Sequence, residues 1–230
     1  MDVRFVDCRA VEAYLAGHLP GAVHADPERD LTGTDGGGRH PLPTAQAFAA
    51  WASQAGIGAD TLVVAYDDGT GWAARLWWLL RHFGHDAAAV LRFEAWQGPL
   101  RSGEETVGPA RFEAVPRDDD IATSDELLER LGDPALVLVD ARAAERWRGE
   151  VEPIDKVAGR IPGARNLPFE HAAPPPRELL GADELVVYCG SGVTACVDLL
   201  ALSLAGRPDA RLYPGSWSEW SSLGLPLERG

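Results

Sequence analysis

Short apolar runs alternate along this chain with stretches of helical spacing. Val3-Arg4-Phe5-Val6-Asp7, Thr61-Leu62-Val63-Val64-Ala65-Tyr66-Asp67, Leu136-Val137-Leu138-Val139-Asp140 and Leu185-Val186-Val187-Tyr188 each read as a strand. The unbroken apolar character of residues 62–65 and 136–139 fits strands covered on both faces. Residues 195–205 read as a helix, and another is predicted to open at Thr123 or Ser124, capped by the hydroxyl, with Glu126 near its first turn. This alternation predicts an α/β fold built on mostly parallel sheets flanked by helices.

The pattern occurs twice. A strand ending in Asp7-Cys8-Arg9 is answered by one ending in Asp140-Ala141-Arg142. Gly17-His18-Leu19-Pro20-Gly21-Ala22 is answered by Gly159-Arg160-Ile161-Pro162-Gly163-Ala164, and the strand at 61–67 by the run ending in Cys189. Repetition at this separation means duplicated domains rather than a solenoid, whose period is roughly 20–50 residues. We therefore expect a first domain over residues 1–100, a linker rich in Gly, Pro and charge over 101–120, and a second domain over 121–230.

Composition narrows the partners. A net charge of −14 argues against nucleic acid or an anionic membrane, either of which calls for a basic face. No run approaches the roughly 18 apolar residues of a membrane span. The opening residues lack the basic-then-apolar order of a signal peptide, so no leader is expected. Three scattered cysteines, at 8, 189 and 196, form neither a disulfide framework nor a zinc site, and they point to a reducing, cytoplasmic setting.

Cys189 stands out. It sits at the mouth of a strand, and Gly190-Ser191-Gly192-Val193-Thr194-Ala195 leads from it into a helix. Loop N–H groups and the positive end of a helix dipole can converge on such a sulfur and favour the anion, which is the nucleophile. Two other chemistries use similar loops. A cysteine phosphatase needs an arginine six residues after the cysteine to clamp phosphate, and that position here is Ala195. A dinucleotide fingerprint needs an acid ending the next strand, whereas Asp209 precedes that strand. Cys196, inside the helix, and Cys8, at a strand end, read as packing residues.

With these motifs in order, the chain resembles the two-domain rhodanese family, and within it the mercaptopyruvate sulfurtransferase branch. The resemblance rests on the loop at 189–195, on Tyr213-Pro214-Gly215-Ser216-Trp217-Ser218-Glu219-Trp220, and on residues 14–22. It implies two tandem rhodanese-like domains, of which only the second carries the nucleophile, since Asp67 stands where the first would place one. It also implies a transfer of sulfane sulfur from 3-mercaptopyruvate or thiosulfate, through a Cys189 persulfide, to cyanide, a small thiol or a thioredoxin-like protein. The alternative is a non-enzymatic sulfur carrier or binding module. No metal or organic cofactor is implied.

The resemblance further assigns roles. Ser191, His40 and Glu28 form a proton relay for mercaptopyruvate; Gly190, Gly192, Val193, Thr194 and Ala195 stabilise charge on the sulfur; Arg146 holds the donor's anionic group. A second substrate arginine falls near Ile154 and is missing, with Lys156 or Arg160 as substitutes, and Trp217 and Trp220 are expected to wall the loop.

Overall fold

Two four-stranded sheets, each parallel throughout, account for the alternation. The computed structural model describes residues 2–230, which group into two units: the chain to Thr34 with Leu42–Arg117, and Asp35–Pro41 with Asp118–Gly230. None of the described helices is long and apolar enough to cross a membrane.

The first unit runs β1 (Asp2–Asp7), α1 (Val11–Ala16), β2 (Val23–His24), α2 (Ala45–Gln54), β3 (Thr61–Asp67), α3 (Trp72–His82) and β4 (Ala88–Arg92), with strand order β2-β1-β3-β4. The segment read as a linker runs along this unit for much of its length. Arg101 bridges His18 antiparallel, the Ala110 N–H donates to the Ser53 carbonyl, and the Arg117 N–H donates to that of His82.

The second unit runs α4 (Ser124–Glu129), β5 (Leu136–Asp140), α5 (Ala144–Trp147), β6 (Arg165–Asn166), α6 (Arg177–Leu180), β7 (Glu184–Tyr188), α7 (Ala195–Leu204), β8 (Arg211–Leu212) and α8 (Ser216–Ser222). Its strand order, β6-β5-β7-β8, repeats the first. The predicted cap at α4 is present, with Thr123 Oγ1 accepting the Glu126 N–H at 3.2 Å. Trp217 and Trp220 are both fully buried in a core with Leu138, Ile161, Val186 and Tyr188. They belong to the interior of this unit, where the indole N–H groups donate to the carbonyls of Val157 and Pro226.

The duplication extends to single hydrogen bonds. Arg9 forks onto Asp7 and donates to the Gly17 carbonyl at 2.6 Å, and Arg142 forks onto Asp140 and donates to that of Gly159 at 2.7 Å. Both ion pairs are buried, so removing one partner of either strands a charge and costs roughly 3–5 kcal/mol. The Tyr66 hydroxyl accepts the Leu19 N–H and that of Tyr188 the Ile161 N–H, each at 3.1 Å. These bonds tie the Leu-Pro-Gly-Ala and Ile-Pro-Gly-Ala turns to the central strands.

Candidate functional site

Cys189 follows the last residue of β7, at the carboxyl end of a strand flanked by β5 and β8. The loop turns back through Gly192, whose φ is +80°, and a Cβ there would lie 2.6 Å from the Pro214 carbonyl oxygen. Only glycine fits both conditions. The turn aims the Gly192 N–H at Cys189 Sγ, 3.1 Å away. Ser191 and Val193 are nearly buried, Ala195 opens α7, and Thr194 just before it is part-exposed.

The backbone of Cys189 and Gly190 is clamped by the start of α8. The Cys189 N–H donates to Ser216 Oγ at 3.1 Å, and the Ser216 hydroxyl donates onward to the Tyr213 carbonyl at 3.0 Å. The carbonyls of Cys189 and Gly190 accept from the N–H groups of Trp217 and Ser218, each at 3.0 Å. Ser216 makes these contacts fully buried and at a φ of 53°, a region that side-chain-bearing residues rarely adopt. Sequence reasoning missed Ser216. It lies inside the Tyr213–Trp220 motif, and nothing in its residue type announces a positive φ.

The segment Asp35–Pro41 belongs to the second unit although it lies far earlier in the chain. It is pinned by the Arg39 N–H, which donates to Ser218 Oγ at 3.1 Å. His40 Nδ1 then stands 2.7 Å from Ser191 Oγ, a hydrogen bond in which the hydroxyl donates to an unprotonated Nδ1 or accepts from a protonated one. Glu28 lies in the first unit, exposed in a turn where its N–H donates to Asp26.

A belt of charge lies over Gly190. Arg146 donates to both oxygens of Glu152, at 3.2 and 2.7 Å, and Arg142 Nη1 adds a third bond at 3.1 Å. Burial works against charge on Glu152, but Arg146 and the N–H groups of Asp155 and Ile154 hold its carboxyl below the usual range. Asp155 bridges Arg39 to Arg146. Arg39 was not anticipated from the sequence. Arg160 is occupied elsewhere, stacked on Trp147 and bonded to Glu228 and the Gly230 carbonyl, and Lys156 is exposed.

Two further buried groups mark the neighbourhood. Cys196 Sγ donates to the Gly192 carbonyl at 3.4 Å. Asp198, on α7, is fully buried, and neither of its carboxyl oxygens has a hydrogen-bond partner. Burial pushes this carboxyl well above the usual range, and Cys189, Asp140 and Glu170 push the same way. In the first unit, burial, with Asp67 and Asp7 adding to it, likewise pushes the Cys8 thiol well up.

Twin parallel sheets, with a cysteine loop at the end of a central strand in the second, define the class: the chain belongs to the rhodanese family. The rhodanese-like domain pattern matches residues 1–98 and 123–223. A Pseudomonas aeruginosa protein named "Probable 3-mercaptopyruvate sulfurtransferase" is 44% identical, over 95% of this chain and 89% of its own length. SseB of Mycobacterium tuberculosis, described as a candidate thiosulfate sulfurtransferase, is 39% identical over 91% of this chain and 82% of its own. The crystal structure of SseA from Escherichia coli, presented as a 3-mercaptopyruvate sulfotransferase of the rhodanese fold, superposes with a TM-score of 0.80 at 29% identity, covering 94% of this chain and 93% of that one.

Proposed function

We propose that Cys189 accepts a sulfur atom from a small anionic donor, either 3-mercaptopyruvate or thiosulfate, holds it as a persulfide, and passes this sulfane sulfur to a thiophilic acceptor. The chain is a sulfurtransferase of the rhodanese fold. The observation that carries the reading at residue level is Cys189 Sγ receiving the Gly192 N–H beside a Ser191–His40 hydrogen bond. A non-enzymatic sulfur carrier or binding module would have no use for that side-chain pair.

In the first step the Cys189 thiolate attacks the donor's sulfur. With thiosulfate the S–S bond breaks and sulfite leaves with the electron pair. With 3-mercaptopyruvate the C–S bond breaks and the enolate of pyruvate leaves, to be protonated. Ser191 and His40 handle that proton, with Glu28 as the acidic partner of the relay. Arg146 holds the donor's carboxylate or sulfonate. The loop from Gly190 through Gly192, Val193, Thr194 and Ala195 stabilises charge on the sulfur and its persulfide. In the second step cyanide, a small thiol or a thioredoxin-like protein attacks the outer sulfur and frees the Cys189 thiolate.

On this reading residues 1–100 form a domain without a nucleophile of its own that lends His40 and Glu28 to the relay, 101–120 join it to the catalytic domain at 121–230, and the protein works in the cytoplasm. The test is mass spectrometry after incubation with each donor. Cys189 should gain one sulfur atom, about 32 Da, and lose it on addition of cyanide. A protein that turns over donor without that gain would refute the persulfide step.

A further inference from the structure

Arg39 lies outside the loop and outside every motif that pointed to the site, yet it is the side chain that comes nearest to Gly190. A Cβ built on Gly190 would come within 2.8 Å of Arg39 Nη2, and within 3.3 and 3.6 Å of Arg146 Nη2 and Nη1. Two guanidinium groups, delivered by segments more than a hundred residues apart in sequence, therefore meet over the residue that follows Cys189.

Each guanidinium is half engaged. Arg39 gives Nη1 to Asp155, and Arg146 gives Nε and Nη2 to Glu152. Arg39 Nη2 and Arg146 Nη1 have no hydrogen bond among the described residues. The carboxylates fix the orientation of both forks from behind. The unspent Arg39 Nη2 is the nearest of these atoms to Gly190, and the unspent Arg146 Nη1 lies 3.6 Å from the same built Cβ. Arg39 is 29% exposed and Arg146 17%, so a small solute can reach them from solvent. Charge-assisted bonds from two forks suit an anion with at least two acceptor oxygens close together.

We propose that Arg39 is a substrate-binding residue, and that it and Arg146 together hold the anionic end of the sulfur donor over Gly190, with the donor's sulfur directed at Cys189. This supplies the second arginine that Ile154, which is 59% exposed, does not. The ligand class is a compact carboxylate or sulfonate whose sulfur lies a few bonds from the charged group. A donor without an anionic group gains nothing from the pair. The assignment rests on the sulfurtransferase reading for the donor's identity, but the anion site itself does not.

The test separates the two. Alkylation of Cys189 in the full chain is followed by mass spectrometry with iodoacetate and with iodoacetamide, which differ in a carboxylate against a carboxamide. In each case the S–C bond forms as iodide leaves. The iodoacetate-to-iodoacetamide rate ratio should fall at least about fivefold in Arg39→Ala and by a similar factor in Arg146→Ala, as loss of one charge-assisted contact implies. Arg39→Lys should recover part of it, and the iodoacetamide rate should hold steady, which shows the loop intact. KM for mercaptopyruvate or thiosulfate should rise in Arg39→Ala with kcat little changed. A ratio that falls only in Arg146→Ala overturns the proposal and reduces Arg39 to a tether for Asp155. A ratio that responds in a protein unable to move sulfur from either donor keeps the anion site and rejects the sulfurtransferase reading.

Discussion

Asp67 ends β3 and Cys189 follows β7, so the same position at the rim of each sheet holds a carboxylate in one copy and a sulfur in the other. Asp67 Oδ1 accepts the Gly69 N–H at 3.0 Å, and Oδ2 accepts the Ala73 N–H at 2.9 Å and the Thr70 hydroxyl at 3.3 Å. Cys189 Sγ accepts the Gly192 N–H at 3.1 Å. Both loops thus turn N–H groups toward an acceptor at the strand end. In the first copy the Asp67 carboxylate takes up these N–H groups, from the loop and the first turn of α3, which leaves nothing to react. The copies also differ six residues after Asp7 and Asp140, the aspartates that end β1 and β5, where Ala13 in the first stands for Arg146 in the second. A cradle for negative charge belongs to the fold; a nucleophile beside free guanidinium donors belongs to one copy of it.

The largest effect should come from making the second loop like the first. Cys189→Asp should remove turnover with both donors, by about four orders of magnitude or more, while the protein stays folded. A steady-state assay with each donor checks this, and turnover within tenfold of the parent would reject Cys189 as nucleophile. The reverse change, Asp67→Cys in a Cys189→Ser background, should restore nothing, because no arginine stands at position 13. Sulfur appearing on residue 67 would mean that the loop suffices without the anion site.

The next effect concerns a contact only the second copy has. His40→Ala removes the partner of the Ser191 hydroxyl. Mercaptopyruvate turnover should fall by about 10- to 100-fold, the lower end of what a positioned acid–base group contributes. Thiosulfate turnover should change much less, because sulfite leaves without needing a proton. Equal losses with the two donors would make His40 a structural residue.

These contrasts mark what the sequence disclosed. Short continuous apolar runs exposed the strands, and the repeated Asp-x-Arg and Pro-Gly-Ala landmarks exposed the duplication, because each depends on local chemistry. The Cys189 loop was legible for the same reason: strand, small residues and helix are contiguous. Arg39 and Ser216 were not. Arg39 reaches the loop through the fold of a Gly-rich segment 150 residues earlier than Cys189, and no local pattern encodes that approach. Ser216 owes its role to a backbone angle set by the packing of α8. Trp217 and Trp220 invited a reading as walls because they sit beside a motif, yet their indoles fill the core of the second unit.

A smaller effect tests the first copy. Asp67→Ala removes the acceptor of the Gly69 and Ala73 N–H groups and should lower unfolding free energy by about 1–3 kcal/mol, as stranding part-buried donors does. Turnover per folded molecule should be unchanged. Urea titration with a parallel activity assay checks both halves, and a loss of turnover at constant stability would give the first loop a role in catalysis.

The smallest effect is a pH dependence in the second copy. Asp198 is buried with no hydrogen-bond partner, and its neighbours Cys189, Asp140 and Glu170 all oppose a further negative charge. Its carboxyl therefore keeps its proton in the folded chain at pH values where the unfolded chain has released it. A raised folded-state value means stability that is fully present below the unfolded carboxyl pKa, about 4, and is lost as pH rises toward the folded value. Asp198→Val removes both the unsatisfied polar group and the titration. The variant should be more stable than its parent by about 1 kcal/mol near neutrality. Its advantage should widen as pH rises above about 5, where the unfolded chain has released the proton that the folded parent still holds. Urea unfolding at about pH 5 and about pH 7 measures this, and an advantage that stays the same at both would mean that Asp198 is already ionised in the folded state.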